Sequence, residues 1–106
     1  MEAVKLGVRT SISPSEIIFF EADVNYTRIH YQDHSEIVAI SLKKVEQQLK
    51  SFPFYRIHKS YLINLNYISN RIDKYEVEMI NNRSLSISRR KIVMFRRLLK
   101  KRISEL

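Results

Sequence analysis

The stretch from Phe54 to Ile68, Phe-Tyr-Arg-Ile-His-Lys-Ser-Tyr-Leu-Ile-Asn-Leu-Asn-Tyr-Ile, constrains the fold more than any other part of the chain. Its apolar positions, Ile57 and then Tyr61, Ile63 and Leu65, fall at even spacings, which a helix would scatter around its axis. An extended segment instead gathers them on one face and turns Arg56, His58, Ser60 and Asn64 to the other. A strand packed on a core has no need of a basic outer face, whereas a surface that meets phosphates or base edges has. Two asparagines, Asn64 and Asn66, are placed to turn the chain.

The same strand-type pattern recurs along the sequence. Val4 to Thr10 alternates and reads as a short edge strand, with the one glycine, Gly7, marking a bulge or a close backbone approach. Ser11 to Ser15 contains Pro14 and reads as a turn. Glu16 to Asp23 is a continuous apolar run bounded by acids, too short for a helix, and reads as a central strand. Tyr26 to Tyr31 and Glu36 to Ile40 follow as antiparallel strands of a meander, after turns at Val24-Asn25 and Gln32 to Ser35. Tyr75 to Ile80 and Ser84 to Ser88 form a hairpin across Asn81-Asn82-Arg83, where Asn accepts positive φ without glycine.

Two segments break the pattern. Ser41 to Ser51 carries Leu42, Val45 and Leu49 at helical spacing behind a possible N-cap at Ser41, a three-turn helix ended by Pro53. From Arg89 onward, residues 92, 95, 99 and 103 form one apolar stripe on an otherwise densely basic helix. No repeat, linker or low-complexity tract interrupts the chain. Residues 1–106 are therefore expected to form one mainly β domain, large enough to bury somewhat under two-thirds of its unfolded surface.

Charge and composition narrow the function. The net charge is +8, and residues 52–106 hold thirteen Lys and Arg against four Asp and Glu, so the whole excess lies in the second half. A polyanion is the first partner this implies; an anionic membrane surface and simple solubility remain alternatives, since charge carries no specificity. The absence of cysteine excludes disulfides and thiolate metal sites and fits a reducing cytoplasm. No apolar run reaches the roughly 20 residues of a membrane span. The three histidines lack metal-ligand spacing, one glycine cannot build a phosphate loop, and nothing spaces a catalytic set. Neither enzyme activity, cofactor, metal nor small-molecule substrate is expected.

The order of elements and the wording of several segments resemble the LytTR family of bacterial DNA-binding domains, usually the output half of response regulators. The resemblance rests on Ile17-Ile18-Phe19-Phe20-Glu21-Ala22, on Leu42 to Leu49, on Arg56-Ile57-His58-Lys59-Ser60-Tyr61-Leu62-Ile63-Asn64 with Ile68 beyond it, and on Ser86-Ile87-Ser88-Arg89-Arg90. It spans about residues 4 to 100, and its Arg-x-His-x-Ser-[YF]-x-[VI]-Asn string is far more specific than a basic patch.

That resemblance implies an elongated, mostly β fold of about ten short strands in three small antiparallel sheets with one or two small helices. It also implies loops, rather than a recognition helix, in the major groove, and often two protomers on direct repeats. Carried over residue by residue, the DNA-contacting positions fall in three places: Asn25, Tyr26, Thr27 and Arg28; Arg56, His58, Lys59 and Ser60; and Ser88, Arg89 and Arg90. Thr27 departs from the histidine often found there and reaches less far, which shifts base reading in that loop toward Arg28.

Side-chain chemistry agrees independently. Arginine matches O6 and N7 of guanine with a discrimination of about 1 to 3 kcal/mol, while Lys59 and Ser60 suit phosphate. Structural alternatives stand beside each assignment: Arg89 and Arg90 capping a strand end, a half-buried His58 holding a neighbouring backbone carbonyl, Ser60 and Asn64 bonding a turn. The terminal helix leaves two other classes open, a protein-docking stripe at Ile92, Phe95 and Leu99 or a peripheral membrane helix. Removal of residues 91–106 is the expected discriminator, since loop reading should survive it. With no receiver-type segment before Val4, phosphorylation control is not expected from this stretch.

Overall fold

Ile17, Ile18, Phe19 and Phe20 are all buried, and the strand they open divides the molecule into two cores. The computed structural model describes residues 3–7 and 10–104, and nothing is drawn from the side chains at 70, 71 and 104. Among these residues lie ten strands and two helices. The strands are β1 (Val4–Leu6), β2 (Thr10–Ile12), β3 (Ile17–Asp23), β4 (Tyr26–Tyr31), β5 (Ser35–Val38), β6 (Phe54–His58), β7 (Tyr61–Asn64), β8 (Ile68–Ile72), β9 (Glu76–Met79) and β10 (Ser84–Ser86). The helices are α1 (Leu42–Gln48) and α2 (Ile92–Ser104).

Three antiparallel sheets result: β1-β2, β10-β9-β8 and a five-stranded sheet ordered β5-β4-β3-β7-β6. The molecule measures 37 × 30 × 25 Å, only mildly elongated. Strand β3 is central, which explains its unbroken apolar run: a strand covered on both faces has no solvent side to make polar. A bulge between Ile17 and Phe19 breaks the alternation, so Ile17 joins Phe20 in one core while Ile18 joins Phe19 in the other. The first core is closed by α1 through Leu42, Val45 and Leu49 and by Leu6 and Ile12 of the β1-β2 hairpin. The second is closed by Val77, Met79 and Leu85 of the small sheet and by Ile92 and Phe95 of α2.

Several expectations are corrected. Val4 to Thr10 is not one strand: Leu6 pairs with Thr10 across a reversal, and Gly7, at φ +66°, is a turn residue. Nothing lies within 4 Å of where its Cβ would sit, so the glycine serves backbone conformation, not close approach. Val8, Arg9, Glu105 and Leu106 lie outside the described residues. Thr10–Ile12 is strand, and the turn after it is a short 3-10 helix at Pro14–Glu16. Helix α1 has two turns, not three, although Ser41 does cap it, its Oγ accepting from the Lys44 amide. Phe54 to Ile68 is a hairpin and a 3-10 turn, not one extended segment, and Asn64 points inward, 2% exposed. Ile68–Ile72 is a further strand.

The stripe on α2 is confined to its first two turns. Ile92 and Phe95 are buried and Leu99 packs beside them, whereas Ile103 is 70% exposed. That stripe is therefore occupied by the domain's own core and is not a free docking face. Phe95 stacks on Tyr55, ring centroids 5.8 Å apart, so cutting residues 91–106 away would open the second core instead of testing the loops.

Candidate nucleic-acid interface

The Lys59-Ser60 turn between β6 and β7 is built by the residues of the motif itself. Arg56 donates from Nε to the His58 carbonyl at 2.9 Å and from one terminal nitrogen to the Lys59 carbonyl, and its other terminal nitrogen meets the Glu46 carboxylate of α1 at 2.9 Å. The His58 Nδ1 accepts the Ser60 amide at 3.0 Å, which leaves Nε2 as the ring nitrogen that carries hydrogen. A bulge between Arg56 and His58 gives the turn its kink. At the other end of the motif, the Asn64 Nδ2 donates to the Ile17 carbonyl at 2.9 Å and its Oδ1 accepts the Asn66 amide at 2.9 Å. Most of the motif thus encodes a shape, and Lys59 is the member it leaves exposed.

Two backbone bonds bring the other segments to this turn. The Ala22 amide donates to the Ser60 carbonyl at 2.9 Å, which fixes the β3-β4 hairpin, whose tip is Val24-Asn25, beside Lys59-Ser60. The Ser88 amide donates to the Ile57 carbonyl at 2.8 Å, while the Ile87 amide donates to the Tyr75 carbonyl at 2.8 Å, so Ser88-Arg89-Arg90 is held between the two larger sheets. An open cleft of about 700 Å³ follows, lined by Arg56, His58, Lys59, Ser88, Arg89 and Arg90. The three predicted segments converge on one end of the five-stranded sheet.

Within that end the side chains differ in freedom. Lys59, Arg89 and Arg90 are exposed and form no ion pair with any described residue. The Arg89 guanidinium lies over the Tyr75 ring, 5.9 Å from its centroid, which limits its rotamers without using its donors. Asn25 and Tyr26 are exposed, and Arg28 is 35% exposed, near Asp23 at 3.7 Å and donating to the Ser35 Oγ at 3.2 Å. Thr27 is corrected: it is fully buried, its hydroxyl donating to the Ile40 carbonyl at 2.6 Å, so its side chain faces the first core. Arg56, with its donors turned inward and its side chain 18% exposed, positions the turn.

Sequence reasoning missed the supports. Beneath the β3-β4 ribbon, His30 is 8% exposed, stacks on Phe19 at 4.1 Å and places Nε2 2.8 Å from the Glu21 carboxylate. Burial lowers the His30 pKa below its ordinary value, against the opposing pull of Glu21. Arg83, read only as a turn residue, reaches from the β9-β10 hairpin to within 3.9 Å of Glu21 and lies over the Phe19 ring. Tyr75, read only as part of a strand, carries Arg89. No spacing signal links these residues, because each contact joins a different pair of elements. At the far end of the sheet, His34 bonds the Asp33 and Glu36 carboxylates, which raise its pKa, and the bond from His34 in turn lowers that of Asp33.

This geometry, a β scaffold that brings three turns to one end and leaves Lys59, Arg89 and Arg90 there without ion pairs among the described residues, suits a polyanion. The family model for the LytTr DNA-binding domain matches residues 8–100, and the chain belongs to that family of DNA-binding domains of transcription regulation. It is 38% identical over 58 residues to the sensory transduction protein LytT of Oceanobacillus iheyensis and 30% identical over 64 residues to the CO-responsive transcriptional regulator RcoM of Rhodospirillum rubrum. Those matches cover 54% and 59% of this chain but 24% and 27% of the relatives, so the chain spans about a quarter of their length. In structure it resembles the LytTr DNA-binding domain of a Bacillus cereus protein described as a methyl-accepting/DNA response regulator. That likeness has a TM-score of 0.72 at 22% identity and covers 92% of this chain and 94% of the other. No helix of the described residues is long and apolar enough to cross a membrane.

Proposed function

We propose that residues 1–106 act as one sequence-specific double-stranded DNA-binding domain of a cytoplasmic transcriptional regulator, with turns entering successive major grooves on one side of the duplex. The observation that carries this reading is the pair of backbone bonds, Ala22 to Ser60 and Ser88 to Ile57, that lock three cation-bearing segments to one end of a sheet. Arg89 and Arg28 read base edges, Lys59 and Arg90 neutralise phosphates, and Asn25, Tyr26, Ser60 and Ser88 contact the backbone or sugar. Arg56 and His58 act through the turn they shape. Binding is accompanied by bending of the duplex, which lets more of the domain's turns engage it together. A second protomer occupies an adjacent direct repeat.

The test begins with selection of bound fragments from a random duplex library, followed by titration of the best fragment and of random DNA across a salt series. Lys59→Ala should weaken both alike and lower the salt slope by about one unit, whereas Arg89→Ala should erase the preference between them. Equal losses on both duplexes would remove Arg89 from the readers. Recovery of no preferred fragment would refute sequence-specific reading altogether.

A further inference from the structure

Val24 occupies the first central position of a two-residue hairpin turn, between the paired Asp23 and Tyr26, and holds φ at +56°. A β-branched side chain at positive φ is strained, and glycine serves this position without penalty. The side chain gains nothing within the domain in exchange: it is 91% exposed, the most exposed large apolar residue described. Strain held at an exposed tip is accounted for by a contact made outside the domain. The position of the tip says with what. Ala22 bonds Ser60 directly, so Val24 stands two residues beyond the Lys59-Ser60 turn, roughly 7 Å along an extended strand. A two-stranded ribbon of this kind fits the major groove, about 12 Å wide, where the one apolar feature on any base edge is the C5 methyl of thymine.

Resting on the DNA-binding reading above, we infer that Val24 is a specificity-determining residue whose two methyl groups pack on a thymine methyl in the major groove, beside the bases read by Arg28 and Arg89. Aspartate and asparagine on either side of it cannot supply that contact, and Tyr26, 51% exposed, flanks it as a broader apolar wall.

The test uses the best duplex from the random selection, with each thymine replaced in turn by deoxyuridine, which removes only the methyl. Wild-type protein should lose roughly fourfold in affinity at one or two positions, the effect of one buried methyl-sized group. Val24→Gly should bind the parent duplex more weakly, melt no lower than wild type because its turn is relaxed, and be indifferent to deoxyuridine at those same positions. Val24→Ala should retain part of the sensitivity. If wild type and Val24→Gly lose equally at every thymine, or neither loses at any, the assignment is wrong while DNA binding stands. If no preferred duplex is recovered, the DNA-binding reading fails and takes this inference with it.

Discussion

Arg56 is the position at which the shape of the site and its charge can be told apart. Its side chain holds two carbonyls of the Lys59-Ser60 turn and the Glu46 carboxylate. Hydrogen bonds with one charged partner are worth about 1.5 to 3 kcal/mol each. The turn lies near solvent, so the low end applies to the two carbonyl bonds, about 3 kcal/mol together. Glu46 is 43% exposed, which limits that ion pair to at most about 1 kcal/mol. Arg56→Ala should therefore lower stability by about 3 to 4 kcal/mol, a fall in melting temperature of at least about 12 °C for a domain of this size. Arg56→Lys keeps the charge but not the fork, and should recover no more than about 1 kcal/mol. Where both variants remain folded, affinity for all duplexes should drop because the turn is loosened, with a salt slope within half a unit of wild type. Calorimetry with a salt series of binding isotherms decides it. Arg56→Ala melting within about 3 °C of wild type, with a slope lower by one, would mean that Arg56 meets phosphate and that the clamp is incidental.

Two further outcomes concern the supports. Because burial holds the His30 pKa below 6.5, its contribution is complete above that value and is lost as pH falls below it, where the unfolded chain takes up a proton that the folded one refuses. The stability difference between wild type and His30→Gln should thus be flat above pH 7 and shrink on acidification, by at most about 1.4 kcal/mol per pH unit; a difference that grows in acid would mean that Glu21 holds the ring protonated. Asn64→Ala removes the donor to the carbonyl of buried Ile17, while the Asn66 amide, on an exposed residue, loses only its side-chain acceptor, so denaturant titration should show a loss of about 1 to 3 kcal/mol while preference among duplexes is unchanged.

The sequence discloses the fold wherever a local rule acts alone. The alternation of Tyr26 to Tyr31, the cap at Ser41 and the asparagine turn at Asn82, φ +68°, are each settled by neighbours in the chain, and each is found where the residues place it. The reading fails where a residue answers to a distant partner. Thr27 looks like a loop residue but belongs to the first core, because its hydroxyl has a carbonyl thirteen residues away to satisfy. Arg56 shows a second limit: the carbonyls it holds, of His58 and Lys59, lie only two and three residues on, but an arginine in a basic motif announces charge and not the backbone acceptors that a folded turn supplies. The helical stripe of α2 was legible, but what covers it was not, since periodicity names a buried face without naming the partner. For the site, the three segments were visible as separate basic or polar turns; their convergence depends on the Ala22 and Ser88 amides, and backbone amides carry no sequence signal.

This division of labour has a consequence for how the domain discriminates. Both helices have committed their apolar stripes to cores, α1 to the first and α2 to the second. The outward face of α2 nevertheless carries Arg96, Arg97, Lys100 and Lys101, a block of charge that attracts any polyanion and contributes to encounter without distinguishing sequences. On the function proposed above, discrimination falls to a few side chains at turn tips, and those tips are connected by backbone bonds and bulges. Neutralising the α2 face should then slow association and lower affinity for every duplex, while the ratio between preferred and random DNA, set at Val24, Arg28 and Arg89, stays where it was. Stability of the turn framework and affinity are therefore coupled in this fold: whatever loosens the hold of Arg56 on the His58 and Lys59 carbonyls loosens the Lys59-Ser60 turn before it unfolds the domain.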